Sequence, residues 1–469
     1  MKVLGISPLD KDANASAVED GKILFAAGEE RFSREKQHAG FPYKAIAAAL
    51  ATTGWKVEDI DVVAYAFLTP EQEQQSLLKS MAKESDAAGT YRDRGLQQRL
   101  SEAERRVPKR TQAIPGLSVP NQRMDKPLTH RMFYRLFGGD PQLSHLYSMY
   151  VDRQRSGEQL AEHQHWHKEL ERGLQHFALT DKLKRYEHHL SHAANSYLAS
   201  GLDRALIVTI DGYGTGLAGS VSVGEGGKIR RVHNIPFPHS LGSFYESVTA
   251  SLGFKPDRHA GKIVGLAAYG DPSVLADILL HRCEETDGDF RIYENLNVYF
   301  SRHLALRFPM IDVEAAYQYV LEQLACRLVA YWVKQTGIGN VVLSGGVTAN
   351  VKMNQRIFEI DGVTGLFVYP NMGDGGCGTG LGLYASWPGG VGIPLDNVYL
   401  GPSYSKADVQ AALDQAGLQY TRPGNLAAEV ARRIHAGEVI ARFDGRMEYG
   451  PRALGNRSIL YHGRDPEVN

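Results

Sequence analysis

ALIVTIDGYGTGLAGSVSVGEGGKIRRVHNI, residues Ala205–Ile235, is the stretch whose reading decides the fold. Its β-branched runs Ala205–Asp211, Gly219–Val223 and Lys228–Ile235 are parted by a Gly-rich turn and by GEGG, the pattern of a three-stranded meander. The same order stands at the N-terminus: strand Lys2–Ser7, strand Ala15–Glu19, an Asp20–Gly21 turn and strand Lys22–Gly28. Two copies of a meander, each followed by helical patterns, predict paired α/β (α+β) domains enclosing a cleft, where small ligands bind. A duplicated scaffold without chemistry is the alternative at this level.

The duplication divides the chain into residues 1–70 as a first half and 186–398 as a second. Residues 71–185 between them turn polar, rich in Gln, Glu, Arg and His, with helical apolar spacing and several Pro/Gly breaks. They predict a mostly helical insertion or lid. Residues 399–469 begin another module: helices over Lys406–Ala416 and Asn425–Ala436 and a strand over Glu438–Asp444. That module is expected to be the opening of a domain, being too short for an independent core.

Composition narrows the function classes. The 469 residues carry 52 basic and 53 acidic side chains, a formal charge of -1. Such a balance gives no global field for nucleic acid or an anionic membrane, so neither is expected as a partner, while a homodimer stays open. Cys283, Cys326 and Cys377 form no Cys-x-x-Cys pair, which argues against a disulfide framework or a thiolate zinc site and for a reducing compartment. Pro8, Asp10 and Lys11 break the N-terminal apolar run before a signal-peptide core forms, and the expected location is the cytoplasm.

Several short segments can carry chemistry. In EHHLSHAANS (Glu187–Ser196), His188 and His192 are four apart and share a helix face. Asp211 in TIDGYGTG and Asp374 in NMGDGGCGTG sit on Gly-rich turns after apolar strands, where cleft residues emerge. Two His and two Asp favour Fe(II), Mn(II) or Zn(II). Surface histidines and ordinary turn aspartates are the alternative that spacing leaves open, and His189 is expected to point elsewhere. His163, His165 and His167 in EHQHWHKE lie in the charged insertion and read as a solvated helix face.

LSGGVTANVKMNQRI (Leu343–Ile357) runs from a strand through Gly345 and Gly346 into a helix with Asn350 and Asn354, a layout suited to a nucleotide or simply to a tight β–α connection. Arg446, Arg452 and Arg457 stand in a Gly/Pro-punctuated loop fit for bidentate phosphate contacts, with an ion-pair network around Glu448 as the alternative. In EERFSREKQ (Glu29–Gln37), Arg31, Arg34 and Lys36 read by themselves as a charged strand exit.

In order along the chain, LGIS…ASAVEDGKI with EERFSREK, then EHHLSHAANSY, TIDGYGTG, SGGVTANVKMN, NMGDGGCGTG and GRMEYGPRALGNRSIL strongly resemble the NodU/CmcH family of O-carbamoyltransferases. That family includes antibiotic-tailoring enzymes acting on aminoglycoside, cephem or ansamycin hydroxyls, and nodulation-factor enzymes. The resemblance implies duplicated actin-like (RNase H-like) domains, related to the enzyme that transfers threonylcarbamoyl to tRNA, followed by a YrdC-like domain. It implies that the YrdC-like domain makes carbamoyl-adenylate from ATP and carbamoyl phosphate. The actin-like part would then pass the carbamoyl group to a small-molecule or sugar hydroxyl beside a divalent metal, Fe2+ ahead of Mn2+ or Zn2+, releasing AMP.

Residue by residue, the resemblance implies His188, His192, Asp211 and Asp374 as metal ligands and Gly345, Gly346, Asn350 and Asn354 as an adenylate cradle. It implies Arg446, Arg452 and Arg457 as phosphate contacts, and Lys36 with His192 as catalytic. The pattern departs twice: Ala13-Asn14-Ala15-Ser16 stands where many relatives carry His-Asp-Ala-Ser, and relatives continue well past PRALGNRSIL. The insertion is not matched. Transfer of another acyl-adenylate, a sugar-kinase-like phosphotransferase and a non-catalytic nucleotide-binding relative are the competing readings. Kinases of the superfamily lack PRALGNRSIL and release ADP rather than AMP.

Overall fold

The computed structural model describes residues 1–91, 93–114, 117–293 and 299–464. Strands β1 (Lys2–Ile6), β2 (Asn14–Glu19), β3 (Lys22–Gly28), β4 (Val62–Tyr65) and β5 (Leu183–Arg185) form one sheet in the order β3-β2-β1-β4-β5. The first three are the antiparallel meander, and β4 and β5 join in parallel. In the second half, β6 (Arg204–Gly214), β7 (Leu217–Glu225) and β8 (Lys228–Pro236) are again an antiparallel meander. A separate hairpin follows, β9 (Cys283–Thr286) with β10 (Asp289–Ile292). Then β11 (Asn340–Ser344) and β12 (Gly365–Val368) extend the second sheet in parallel, giving β12-β11-β6-β7-β8.

The two sheets share one strand order, so the duplicated α/β architecture expected from the meanders is the one adopted. Central strands such as β4 and β11 read as continuous apolar runs because helices cover both faces of a parallel ladder. One detail departs from expectation. β6 runs past Asp211 to Gly214, and its ladder with β7 is interrupted between Ile210 and Gly214. A break of this kind turns a side chain out of the sheet, and here that side chain is Asp211.

Helices His188–Leu198 and Cys377–Ser386 lie between the sheets and against each other. The first also packs on β6 and β11, the second on β1 and β2. Glycine permits the approach: a Cβ on Gly380 would stand 2.1 Å from the Ser191 carbonyl oxygen. Tyr197, Leu198, Leu381 and Leu383 are buried in this layer, each stabilising by roughly 1.5–3 kcal/mol.

Helices Pro70–Thr90, Leu96–Arg106, Leu128–Gly139 and Pro141–His176 occupy the stretch between β4 and β5. The last is anchored at its C-terminal end, where Leu170 and Leu174 join the core of the first sheet with Phe41. Near the C-terminus, helices Lys406–Gln415 and Leu426–His435 start where their caps stand: the Ser405 hydroxyl accepts from the Asp408 amide and the Asn425 side chain from that of Ala428. β13 (Ile440–Phe443) pairs antiparallel with β14 (Arg457–Leu460). Among the described residues no helix is long and apolar enough to cross a membrane.

Candidate metal centre and its flanking cavities

The His188–Leu198 helix begins where the Glu187 carboxylate accepts the amides of His189 and Leu190, at 2.9 and 2.8 Å. This start sets the rotation of the helix, and the spacing of four puts His188 and His192 on the face toward β6. A Cβ on Gly214 would fall 2.2 Å from the His188 ring, so glycine is needed there. The two Nε2 atoms are 3.1 Å apart and lie 3.2 and 3.1 Å from Asp211 Oδ2. Asp374 Oδ1 is 3.5 Å from both rings. The four residues expected as ligands therefore converge on one point.

Their orientation is held from behind. The amides of Gly212 and Gly346 donate to Asp211 Oδ1 at 2.8 and 3.0 Å, leaving Oδ2 to face the imidazoles. The Ser344 hydroxyl donates to the Met372 carbonyl at 3.2 Å, so across 3.1 Å it accepts from His192 Nδ1–H. That assigns the proton to Nδ1 and leaves the Nε2 lone pair facing the centre. Phe67 stacks on His188 with ring centroids 5.0 Å apart. His189 does turn elsewhere, to Thr209 at 3.2 Å, and burial pushes its pKa down to about 4.

The electrostatics of the cluster favour a cation. Burial pushes both imidazoles of the cluster down, yet Cys377, Asp211 and Asp374 together outweigh it and hold them well above the ordinary histidine range. Burial likewise pushes Asp211 and Asp374 up; the two imidazoles, and for Asp374 also Lys11, override it and keep both carboxylates low. Two protonated rings with nitrogens 3.1 Å apart would repel each other, whereas one cation bound to both lone pairs would not. Asp374 Oδ1 is buried without a hydrogen-bond partner. Metal–nitrogen and metal–oxygen bonds of about 2.1 Å subtend donor separations of roughly 3.0–3.4 Å, close to those found here. The donor set thus fits a divalent cation.

Two cavities, each of about 250 Å³, flank the cluster. Lys11, Gly212, Glu246 and Asp374 line both, so Asp374 of the cluster stands in their shared wall, while Asp211 lines only one of them. One opens toward Gly346, Asn350, Val264 and Arg452; the other lies beneath the Pro141–His176 helix, against Asp10, Phe67, Trp166 and Tyr213.

Of the residues expected to cradle adenylate, Gly346 and Asn350 line the first cavity. The Asn350 side chain is also exchanged with Gln318, at 2.8 and 3.1 Å. Gly345 and Asn354 serve the loop: Gly345 has φ +99° against the Ile210 carbonyl, and Asn354 donates to the Thr348 carbonyl at 2.7 Å. Of the three arginines expected at phosphate, Arg452 alone lines this cavity. Arg446 donates to the carbonyls of Leu24, Leu400 and Gly401, and Arg457 to those of Asp444, Gly445 and Asn456 while lying 3.6 Å over the Phe443 ring. Glu448 Oε1 accepts three amides, of Leu454, Asn456 and Arg457, so it folds the loop rather than pairing with the arginines.

Lys36 is corrected most plainly. Its side chain is 64% exposed and paired with Glu30 at 3.0 Å, outside both cavities; Gln37 is the residue of that loop that reaches one. The cation at the centre is Lys11, 3.4 Å from Asp374 Oδ2. Its signal was the duplication: the β1–β2 loop occupies the place that the Asp211 turn occupies in the second half. Cys377, 3.6 Å from His192 Nε2, is a fifth neighbour, one helical turn beyond Asp374. Its sulfur joins His188, His192 and Asp374 in a group whose donor atoms lie within 4.8 Å of one another. Asp211 Oδ2, at 3.2 and 3.1 Å from the two imidazoles, is nearer His192 than that sulfur is. EHQHWHKE also differs from expectation: His165 is exposed, but His163, Trp166 and His167 face the second cavity.

A family model described as carbamoyltransferase N-terminus matches residues 2–383, and one described as carbamoyltransferase C-terminus matches residues 431–469. An uncharacterized protein of Synechocystis is 27% identical over 98% of this chain and 70% of its own length. Nodulation protein NolNO of Sinorhizobium fredii is 28% identical over 98% of this chain, which spans 59% of that relative's length. Among solved structures, full-length HypF in its phosphate- and nucleotide-bound form aligns over 49% of this chain and 50% of its own, with a TM-score of 0.35 and 17% identity.

Proposed function

This chain belongs to the carbamoyltransferase family, and from that premise we propose that it is an O-carbamoyltransferase acting on a small-molecule or sugar hydroxyl. The carbamoyl group would come from carbamoyl phosphate and ATP by way of carbamoyl-adenylate. One observation carries the reading: a cluster with the donor set of a divalent-metal site meets two cavities through Asp374, which lines both. Adenylate belongs on the Gly346, Asn350 and Arg452 side, and the acceptor on the Trp166 side.

His188, His192, Asp211 and Asp374 would hold the cation, Fe2+ ahead of Mn2+ or Zn2+, which when bound supplies Lewis-acid polarisation of the carbamoyl carbonyl. The chain's own residues do the positioning. Ser344 keeps His192 in the Nδ1–H tautomer, and the Gly212 and Gly346 amides aim Asp211. Lys11 sets a positive charge beside Asp374, where negative charge develops during transfer. The acceptor oxygen forms its bond to the carbamoyl carbon, the bond from that carbon to the adenylate oxygen breaks with its electron pair leaving on AMP, and the hydroxyl proton passes to solvent. That Cys283, Cys326 and Cys377 form no disulfide is in keeping with a reducing, cytoplasmic setting.

The test is metal content together with AMP formation from ATP and labelled carbamoyl phosphate, on protein expressed from the complete gene. Bound divalent metal and carbamoyl-phosphate-dependent AMP are expected. ADP instead of AMP would replace the reading with a phosphotransferase, and metal with neither product would withdraw carbamoyl transfer.

A further inference from the structure

His188 and His192 turn the same atom to the centre, but the groups behind them differ. A ring whose Nε2 lone pair binds a cation carries its proton on Nδ1, and that N–H needs an acceptor when it is buried. His192 has the Ser344 hydroxyl. His188 is fully buried, and its Nδ1 makes no hydrogen bond.

A matching acceptor stands in the first turn of the Pro70–Thr90 helix. Glu73 is as buried as His188, and its Oε2 also makes no hydrogen bond. Its Oε1 is occupied, accepting from the Leu68 amide at 2.8 Å and the Thr215 hydroxyl at 2.9 Å. The same Thr215 oxygen accepts the backbone N–H of His188 at 3.3 Å, so Glu73, Thr215 and His188 form one connected chain. Thr215 keeps a φ of +50°, a conformation that a β-branched residue adopts only when its surroundings hold it, and these two bonds do so. Buried polar atoms are rarely left without partners, and here one donor and one acceptor are orphaned on residues already linked. Burial pushes the Glu73 carboxyl up, while the Leu68 amide, the Thr215 hydroxyl and the His188 ring pull against it.

We propose that Glu73 is a positioning residue of the metal centre: its Oε2 accepts the Nδ1–H of His188, directly or across one buried water, and so keeps the Nε2 lone pair turned to the cation. This role rests on the proposed metal centre, and not on carbamoyl transfer or the nature of the acceptor. It gives the helical insertion a hold on the cluster. The Pro70–Thr90 helix is pressed onto the turn between β6 and β7: a Cβ on Gly216 would stand 2.6 Å from the Ser76 carbonyl oxygen, and the Ser80 hydroxyl donates to the Phe237 carbonyl at 2.6 Å. The same helix packs on the Pro141–His176 helix that covers the second cavity, so displacing the insertion withdraws Glu73 from His188.

Glu73→Gln separates positioning from packing. The amide oxygen must stay where Oε1 accepts two donors, so the NH2 group takes the place of Oε2 and presents a donor to Nδ1. His188 is then favoured with its proton on Nε2, the form that cannot bind a cation. The experiment is Zn2+ titration by competition with a chromophoric chelator, on the full chain and on Glu73→Gln, Thr215→Val and Glu71→Gln. Urea unfolding of each metal-free protein and long-range nitrogen–proton NMR of the zinc-loaded ones accompany it. Glu73→Gln is expected to weaken Zn2+ binding roughly 10–100-fold with little change in the urea midpoint, whereas a packing role alone would be rescued by the near-isosteric amide. Thr215→Val keeps the shape but frees the carboxylate, and should weaken binding roughly threefold to tenfold. Glu71→Gln removes an exposed charge from the same turn and should leave binding unchanged. In the zinc-loaded wild type His188 should carry an exchange-protected proton on Nδ1, and its signal should move or vanish in Glu73→Gln. Wild-type affinity in Glu73→Gln, or a His188 Nδ1 proton that exchanges freely in the wild type, overturns the role and leaves the metal centre standing. A wild type that binds no Zn2+ removes the metal centre, and this role with it. Should Glu73→Gln fail to fold, Thr215→Val and the wild-type NMR signal decide.

Discussion

The His/Asp cluster and the C-terminal arginine loop are equally rich in polar side chains, yet they use them in opposite ways. In the cluster, four residues each turn one donor atom toward the others, and the Gly212 amide and the Ser344 hydroxyl hold Asp211 and His192 from behind. In the loop, Arg446 and Arg457 are occupied by backbone carbonyls and Glu448 by backbone amides, and of the three arginines Arg452 alone reaches a cavity beside the cluster. A charged residue serves a ligand only where the fold has not already satisfied it.

The sharpest way to break this contrast is His192→Ala. Metal content by plasma mass spectrometry should fall to near zero and turnover by more than about 100-fold, since even changes behind a ligand cost 10–100-fold. The circular-dichroism spectrum should be unchanged. Retained metal and rate in this variant would sink the site.

Ser344→Ala tests the support behind the ligand. Removing the group that fixes His192 Nδ1–H should weaken metal affinity by about 10–100-fold, measured by competition with a chromophoric chelator. An unchanged affinity would mean that Ser344 does not set the tautomer.

Acid should act on the cluster and spare the loop. Burial lowers the His188 and His192 pKa values, but Cys377, Asp211 and Asp374 raise them well above the ordinary range, so the metal-free rings hold protons at neutral pH. Metal must displace those protons, and its affinity should therefore rise with pH by up to about tenfold per unit for each proton released. Calorimetry in buffers of different ionisation heat reads that release directly; a buffer-independent heat would show the rings neutral beforehand.

Two smaller effects belong to the loop and its surroundings. Glu448→Ala leaves three amides without their acceptor and should cost about 1–3 kcal/mol of stability in urea unfolding, with metal content intact. Lys36→Ala removes an exposed ion pair and should change stability by less than about 0.5 kcal/mol and turnover less than twofold. A large loss of turnover in Lys36→Ala would return that residue to the reaction.

The N-terminal modules and the C-terminal loop also differ in how far they could be read in advance. The paired meanders were legible because strand alternation and Gly-rich turns are local signals, and both sheets follow from them. His188 and His192 were legible as a pair because a spacing of four needs only a helix, and Asp211 and Asp374 because Gly-rich strand ends are recognisable in a single sequence. EHQHWHKE misled because its charged neighbours mask a second face, and that face is defined by Leu170 and Leu174 packing into a distant core.

The sequence by itself determined the duplicated α/β architecture and the imidazole and carboxylate donors, since these depend on residues near one another in the chain. Only the tertiary structure decided that Lys11 rather than Lys36 stands at the centre, that Cys377 joins its edge and that two of three arginines are consumed by the backbone. Those outcomes turn on which groups from remote segments approach within hydrogen-bond distance, and that is settled by how the two sheets close on the helices between them.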